Sequence, residues 1–367
     1  MMNFMTPSET KSFGNSKAPV VLISRTDKIG DVVLTLPMAG LIKRLLPDSR
    51  VVFLGQAYTR AIIESSEHVD TYLDWKELES QPLESQIKTL KDLGVTIFIH
   101  VFPNKKIASL AKKAGIPMRI GTSRRIYHWW TCTHRLPLSR RYSPLHEAQL
   151  NSLLLAPVSG SQTPSVEDLA GLFGLSARSH LSGELEARLA KAKFRLVLHP
   201  RSRGSAREWP MKHYMKLIEL LEHQDIHFFF TGTDAEATEI STALATLPIR
   251  LEPRINNLAG KMRLTELMSL LARANGFIGA STGPLHIAAA LGVRTLGIYP
   301  SISPMDSRRW GPLGKRAKAI SAKAPGECNA CRKADVCPCM EKVTPEAVAA
   351  EIGNWMAKEN ASSVDPH

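Results

Sequence analysis

Three segments combine residue types at spacings that could do chemistry on an anionic ligand. The first is Arg25-Thr26-Asp27-Lys28-Ile29-Gly30-Asp31. Gly30 permits a tight turn, and Asp31 stands where a helical pattern begins. Its carboxylate reads either as a helix N-cap or as a proton acceptor at a cleft rim. The second is His199-Pro200-Arg201-Ser202-Arg203-Gly204-Ser205-Ala206-Arg207-Glu208-Trp209-Pro210. Three arginines among small hydroxyl and glycine residues suit a phosphate cradle. It is not a Walker loop, because GxxxxGK[ST] is absent. The third runs from Gly279 to Gly292 as GASTGPLHIAAALG. Ser281 or Thr282 can cap, Pro284 suits a first helical turn, and Gly292 follows the end. Such an N-terminus presents backbone N–H groups to anions. His286 on that helix reads as a structural hydrogen-bonder or as a ligand-facing group.

The elements before these loops must position them. VVLIS (20–24), FRLVLHP (194–200) and GFIGA (276–280) are short apolar runs that predict buried strands. In the first half, a helical pattern from Val32 to Leu46 is followed by strands at 50–55 and 95–100, with helices at 105–115 and 146–156. From Pro157 to about Ser182 the chain reads as a loose linker with one short helix. The alternation then restarts, with helices over 211–224, about 235–247, 264–274 and 284–292 and strands at 226–232 and 294–300. This predicts an α/β chain of two doubly wound domains, with ligands at the carboxyl ends of the strands. The divisions read as a disordered lead-in (1–18), a first domain with its linker (19–180), a second domain (181–357) and a disordered tail (358–367).

The chain has 367 residues, of which 44% are hydrophobic and 22% charged, enough for two cores and against disorder. No apolar run approaches the roughly 18 residues that cross a bilayer, and the N-terminus lacks the apolar stretch of a secretory signal. Four of the five cysteines crowd between Cys328 and Cys339, which gives no framework of long-range disulfides, so a reducing cytoplasm is expected. Lys and Arg number 47 against 34 Asp and Glu, a net charge of +13 that favours anionic partners. No acidic residue lies between Asp92 and Glu147, whereas ten lysines and arginines do, with Trp129 and Trp130 among them. This stretch reads as a solvated basic face or as a docking surface for a polyanion. Cys328, Cys331, Cys337 and Cys339 form C-x2-C-x5-C-x-C; they can close a structural zinc site, or stand as loop thiols or local disulfides. Neither reading makes them catalytic.

GxGxxG after the first strand, HExxH and Asp-x-Asp are all absent. A dehydrogenase has little support, and bound phosphates would rest on arginines and helix ends with no metal or other cofactor.

Several segments together resemble glycosyltransferase family 9, the lipopolysaccharide heptosyltransferases. RTDKIGDVVLTLPMAGLIKRLLPDSRVVFL is similar to its N-terminal signature, and GASTGPLHIAAALGVRTLGIYP to its C-terminal one. LHPRSRGSAREWP, NLAGKMRLTELMSLLARANGFIG and HEAQLNSLLL also match, in the family's order, over about residues 20–355. The resemblance implies a GT-B enzyme, two Rossmann-like domains facing a cleft, that moves a heptose from ADP-heptose to the lipopolysaccharide core with inversion and without a metal. It implies Asp31 as general base. Arg201, Ser202 and Arg207 would hold the diphosphate, Glu236 the ribose and Met262 the adenine side. Ser281, Thr282, Gly283 and His286 would line the diphosphate and sugar pocket. Lys28, Arg124, Arg125, Arg140 and Arg141 are expected to meet an anionic lipid-linked glycan acceptor at the cytoplasmic face of the inner membrane. The chain departs from the family at Arg207, where Lys is common, and at Ser281, where Asp often stands. The second change bears on the sugar, so another nucleotide sugar is the alternative. A basic nucleic-acid-binding protein is a more distant one, because residues 105–141 lack interleaved stacking aromatics.

Overall fold

The computed structural model describes residues 18–363 except 142, 161, 178 and 329–336. Among the described residues, twelve strands form two six-stranded sheets, and every strand pair is parallel. In the first half these are β1 (Val20–Ser24), β2 (Arg50–Gly55), β3 (Thr71–Asp74), β4 (Ile97–His100), β5 (Met118–Thr122) and β6 (His134–Leu136). In the second they are β7 (Phe194–His199), β8 (Ile226–Phe230), β9 (Ile255–Asn257), β10 (Gly276–Gly279), β11 (Arg294–Ile298) and β12 (Ala317–Ile320).

The orders β3-β2-β1-β4-β5-β6 and β12-β11-β10-β7-β8-β9 are one topology used twice. Each reverses direction between its first and fourth strands, β1 and β4 or β7 and β10. Diverging helices leave a crevice at such a switch point. The loops after β1, β7 and β10 are therefore placed by topology where a ligand can enter.

The central strands are apolar on both faces, as helices on both sides of a parallel sheet require. Leu22, Val52 and Phe98 pack on one face of the first sheet, while Val21, Ile23 and Phe53 join a core that continues into Val197, Phe277 and Leu285 of the second half. The two halves thus share a hydrophobic interior.

Three expectations are corrected. The pattern from Val32 to Leu46 is two helices, Ile29–Val33 and Leu36–Leu45, because Pro37 has no N–H to donate and its ring blocks the carbonyl of Val33. The segment 157–182 is not a loose tether. Leu169, Leu172 and Phe173 enter the shared core, and Ser66 Oγ donates to Phe173 O at 2.8 Å. Finally, residues 358–363 of the tail are helical, within Pro345–Ser363, and 364–367 lie outside the described residues. Glu359 accepts from Asn275 Nδ2 at 2.9 Å and pairs with Arg294, tying this helix to the second sheet. Of the lead-in, residues 1–17 lie outside the described residues.

Candidate active site

The loops after β1, β7 and β10 line a cleft of about 840 Å³ between the halves. Lys28, Gly30 and Asp31 face it from the first half. From the second come Arg201, Ser202, Arg207 and Glu236, together with Ser281, Thr282, Gly283 and His286.

Asp31 does not cap its helix. Lys28 is the N-cap of Ile29–Val33, and Asp31 is the third helical residue. Its Oδ1 accepts from Arg25 Nη2. The same guanidinium donates from Nε to Asp27 Oδ1 at 2.7 Å and from Nη1 to Glu147 Oε1 and Asn151 Oδ1, both at 3.3 Å. Burial pushes the Asp31 carboxyl up to about 6 against the pull of Arg25, with Asp27 and Glu147 adding to the rise. Burial opposes the charge on Arg25 too, but three carboxylates outweigh it and hold the cation. A carboxylate so placed is ionised at neutral pH and more basic than an exposed one.

Glu147, 1% exposed, extends this network. It pairs with Arg25, with Arg140 and with Arg309 of the second half. Arg309 Nη1 also donates to Arg140 O at 2.8 Å. His146 adds a further cross-link. Its Nδ1 accepts from Ala148 N at 3.2 Å, which leaves Nε2 as the donor to Gly311 O at 2.9 Å. The pairing of Arg25 and Arg309 with Glu147 escapes a reading of the sequence. The only hint is that Glu147 ends the long run without acids.

The loop after β7 is folded on itself. Arg201 pairs with Glu208 at 2.8 Å and with Glu239, and Ser202 donates from N and Oγ to Glu208 Oε1 at 2.7 and 2.8 Å. A ligand phosphate there would compete with Glu208 for both residues. Arg203, with φ 50°, lies in the left-handed region, and it too lines the cleft. Glu236 Oε2 accepts from Thr233 N at 2.7 Å, closing a capping box on Asp234–Leu244.

The helix Gly283–Ala290 begins at Thr282, whose side chain makes no cap bond. Thr282 Oγ1 and His286 Nδ1 are buried without hydrogen-bond partners. Burial, helped by His146, lowers His286 to about 3, so the imidazole is neutral. Two buried polar atoms without hydrogen bonds beside a helix N-terminus are costly and suited to a polar ligand.

Other expected residues lie elsewhere. Met262 lines a separate cavity of about 940 Å³ with Leu181, Asn257 and Lys261, rather than the cleft. Arg124, Arg125, Arg140 and Arg141 do not form one face. Arg124 and Arg125 are exposed on the turn after β5, whereas Arg140 is drawn inward by Glu147, its pKa lowered by burial to about 10. Arg140 and Arg141 line a smaller cavity of about 200 Å³ with Arg308 and Arg309. Cys328, Cys337 and Cys339 are buried in the core of the second half, and Cys331 lies outside the described residues. Among the described residues, no group of three His, Cys, Asp or Glu is arranged to hold a metal ion.

The model of glycosyltransferase family 9 (heptosyltransferase) matches residues 85–340, which excludes the loop of Asp31. A Haemophilus influenzae protein that carries a glycosyltransferase name is 27% identical over 314 residues, covering 82% of this chain and 88% of that one. Lipopolysaccharide heptosyltransferase 3 of Escherichia coli K12 is 24% identical over 296 residues, covering 77% and 82%. The structure of Escherichia coli ADP-heptose lipopolysaccharide heptosyltransferase II superposes with a TM-score of 0.70 at 18% identity, over 93% of this chain and 99% of that one. With two like-wound sheets, a shared cleft and a family match over most of its length, the chain belongs to glycosyltransferase family 9 and is a glycosyltransferase of the GT-B fold.

Proposed function

We propose that the protein transfers a heptosyl group from ADP-heptose to a hydroxyl of a lipopolysaccharide core acceptor, with inversion at the anomeric carbon and no divalent ion. The reading rests on Asp31, a carboxylate of raised pKa on the first half, lining one cleft with Thr282 and His286 of the second, whose Oγ1 and Nδ1 are buried without hydrogen-bond partners. Asp31 takes the proton of the acceptor hydroxyl as its oxygen attacks, which is worth roughly 10²–10⁴-fold in rate. The bond from the anomeric carbon to the diphosphate oxygen breaks on the opposite side. Arg201, Arg207 and the N-terminus of Gly283–Ala290 offset the charge that develops there. Arg201 then exchanges Glu208 for phosphate. Glu236 meets the ribose with the oxygen that its cap leaves open.

Similarity supports the donor and the acceptor class, since two of the similar proteins are named for lipopolysaccharide and one for ADP-heptose. The metal-free reading rests on the absence of Asp-x-Asp and on the cationic lining of the cleft. Ser281 in place of a carboxylate favours a second reading, another nucleotide sugar in the same site. Incubating the protein with core acceptor and ADP-, UDP- or GDP-sugars in the presence of a chelator tests all of this. Heptose transfer with release of ADP is expected, and transfer only from another nucleotide sugar replaces the donor assignment.

A further inference from the structure

After β5 the chain turns through residues 123–127 into the short helix His128–Thr131. Ile126, Trp129 and Trp130 on this turn are 76%, 60% and 55% exposed. His128 and Thr131 are buried, so the backbone is anchored while large apolar side chains are held outward. Trp129 is also oriented. Its Nε1 donates to Ser123 O at 3.2 Å, and the Arg135 guanidinium lies 5.1 Å from the ring centroid. Three exposed large apolar groups within five residues mark an interaction surface rather than an ordinary loop.

Charge selects the partner. Arg124 and Arg125 adjoin Ile126 and are exposed, Arg135 covers Trp129, and no acidic residue occurs between Asp92 and Glu147. The geometry points to the anionic surface of a phospholipid bilayer as the occupant, with Ile126, Trp129 and Trp130 entering the headgroup boundary and Arg124 and Arg125 meeting lipid phosphates. Indole rings suit that boundary, and each arginine near it adds attraction that salt weakens.

The position serves the cleft. Strands β1, β4 and β5 are parallel neighbours, so this turn leaves the sheet at the same end as the Asp31 loop. Two strand spacings separate them, about 10 Å. A bilayer seated on the turn brings a lipid-linked acceptor to the cleft mouth.

Cosedimentation of the full chain with vesicles tests this without donor or acceptor, so an error in the sugar assignment does not affect the result. Binding is expected to phosphatidylcholine vesicles that contain phosphatidylglycerol, weak binding to phosphatidylcholine alone, and release by salt. Joint Trp129→Ala and Trp130→Ala replacement should weaken binding by about tenfold or more. Arg124→Gln with Arg125→Gln should weaken it by about 30-fold. Ile126→Glu, at the most exposed position, should weaken binding with an unchanged melting temperature, and it serves if the tryptophan variant folds poorly. Equal binding to both vesicle types, no binding to either, or variants that bind like the wild type overturn the proposal. So does a wild-type dimer that Trp130→Ala dissolves, because the patch is then a protein interface.

Discussion

A Cβ on Gly30 would stand 3.0 Å from Cδ2 of His286, across the boundary between the two sheets. The converse contact is tighter, since a Cβ on Gly283 would come within 2.6 Å of Ile29 Cγ2. The helix that carries Asp31 therefore lies directly on the first turn of Gly283–Ala290. Absent side chains at two positions set the distance between the Asp31 loop and the N-terminus of Gly283–Ala290.

Gly283→Ala should spread this contact. Ile29 is β-branched and stiff, so it cannot swing aside cheaply, and overpacking of this kind costs about 1–3 kcal/mol. The expected result is a lower urea midpoint together with a reduced kcat/KM. Gly30→Ala, which meets only the edge of a ring, should do less. Wild-type stability and turnover for Gly283→Ala would show that the halves do not need this closeness.

Asp31→Asn should lower kcat by about 10²-fold or more with donor affinity retained. A carboxylate that takes the acceptor's proton must be ionised, so with Asp31 in that role kcat/KM should climb as pH rises toward about 6 and level off above it. Stability runs the other way. Burial raises the folded carboxyl from 3.8 to about 6, so the folded state holds this proton more tightly, and Asp31 costs stability as pH rises through that window. Asp31→Asn should therefore melt no earlier than the wild type at pH 8, with any advantage gone below about pH 4. A variant that turns over normally at pH 8 excludes Asp31 as the base.

Arg25→Lys keeps the charge and loses the planar fork that reaches Asp27, Asp31 and Glu147 together. Arg25 holds the pKa of Asp31 down, so the acid limb of the rate profile should move above pH 6. Donor KM should stay near wild type, as Arg25 belongs to the first half and the proposed diphosphate contacts to the second. An unmoved limb would mean that Arg25 has no hold on Asp31.

Glu147→Gln removes the counter-charge shared by Arg25, Arg140 and Arg309. Breaking a buried network from one side costs about 3–5 kcal/mol, read as a fall in the denaturant midpoint. Arg140→Gln should also lose stability, whereas Arg124→Gln, on an exposed turn, should not. Equal midpoints for the two arginine variants would contradict the inward position of Arg140.

Arg203→Gly relieves a left-handed backbone that costs an L-residue about 1–2 kcal/mol. The chain should become more stable by up to about 1 kcal/mol, and donor KM should rise if the guanidinium reaches the diphosphate. A thermal melt and a donor titration on one variant separate the two effects. A destabilised variant would mean that the Arg203 side chain holds the loop together.

Sequence alone determined the alternating architecture, because β1, β2, β4, β7, β8, β10 and β11 are buried on both faces and must be apolar along their length. It also placed the three loops, since each follows such a run and carries Gly, Pro or hydroxyl residues that mark helix starts. The edge strands were not legible. β6 and β12 are largely exposed and β9 has one buried residue in three, so no apolar run announces them. Tertiary structure decided the partners of the charges. Arg25 and Glu147 lie 122 positions apart, and Arg309 joins them from the other sheet. Nothing local distinguishes these arginines from Arg124 or Arg125. Burial is a property of the assembled fold, and only burial turns a surface charge into one that must be paired.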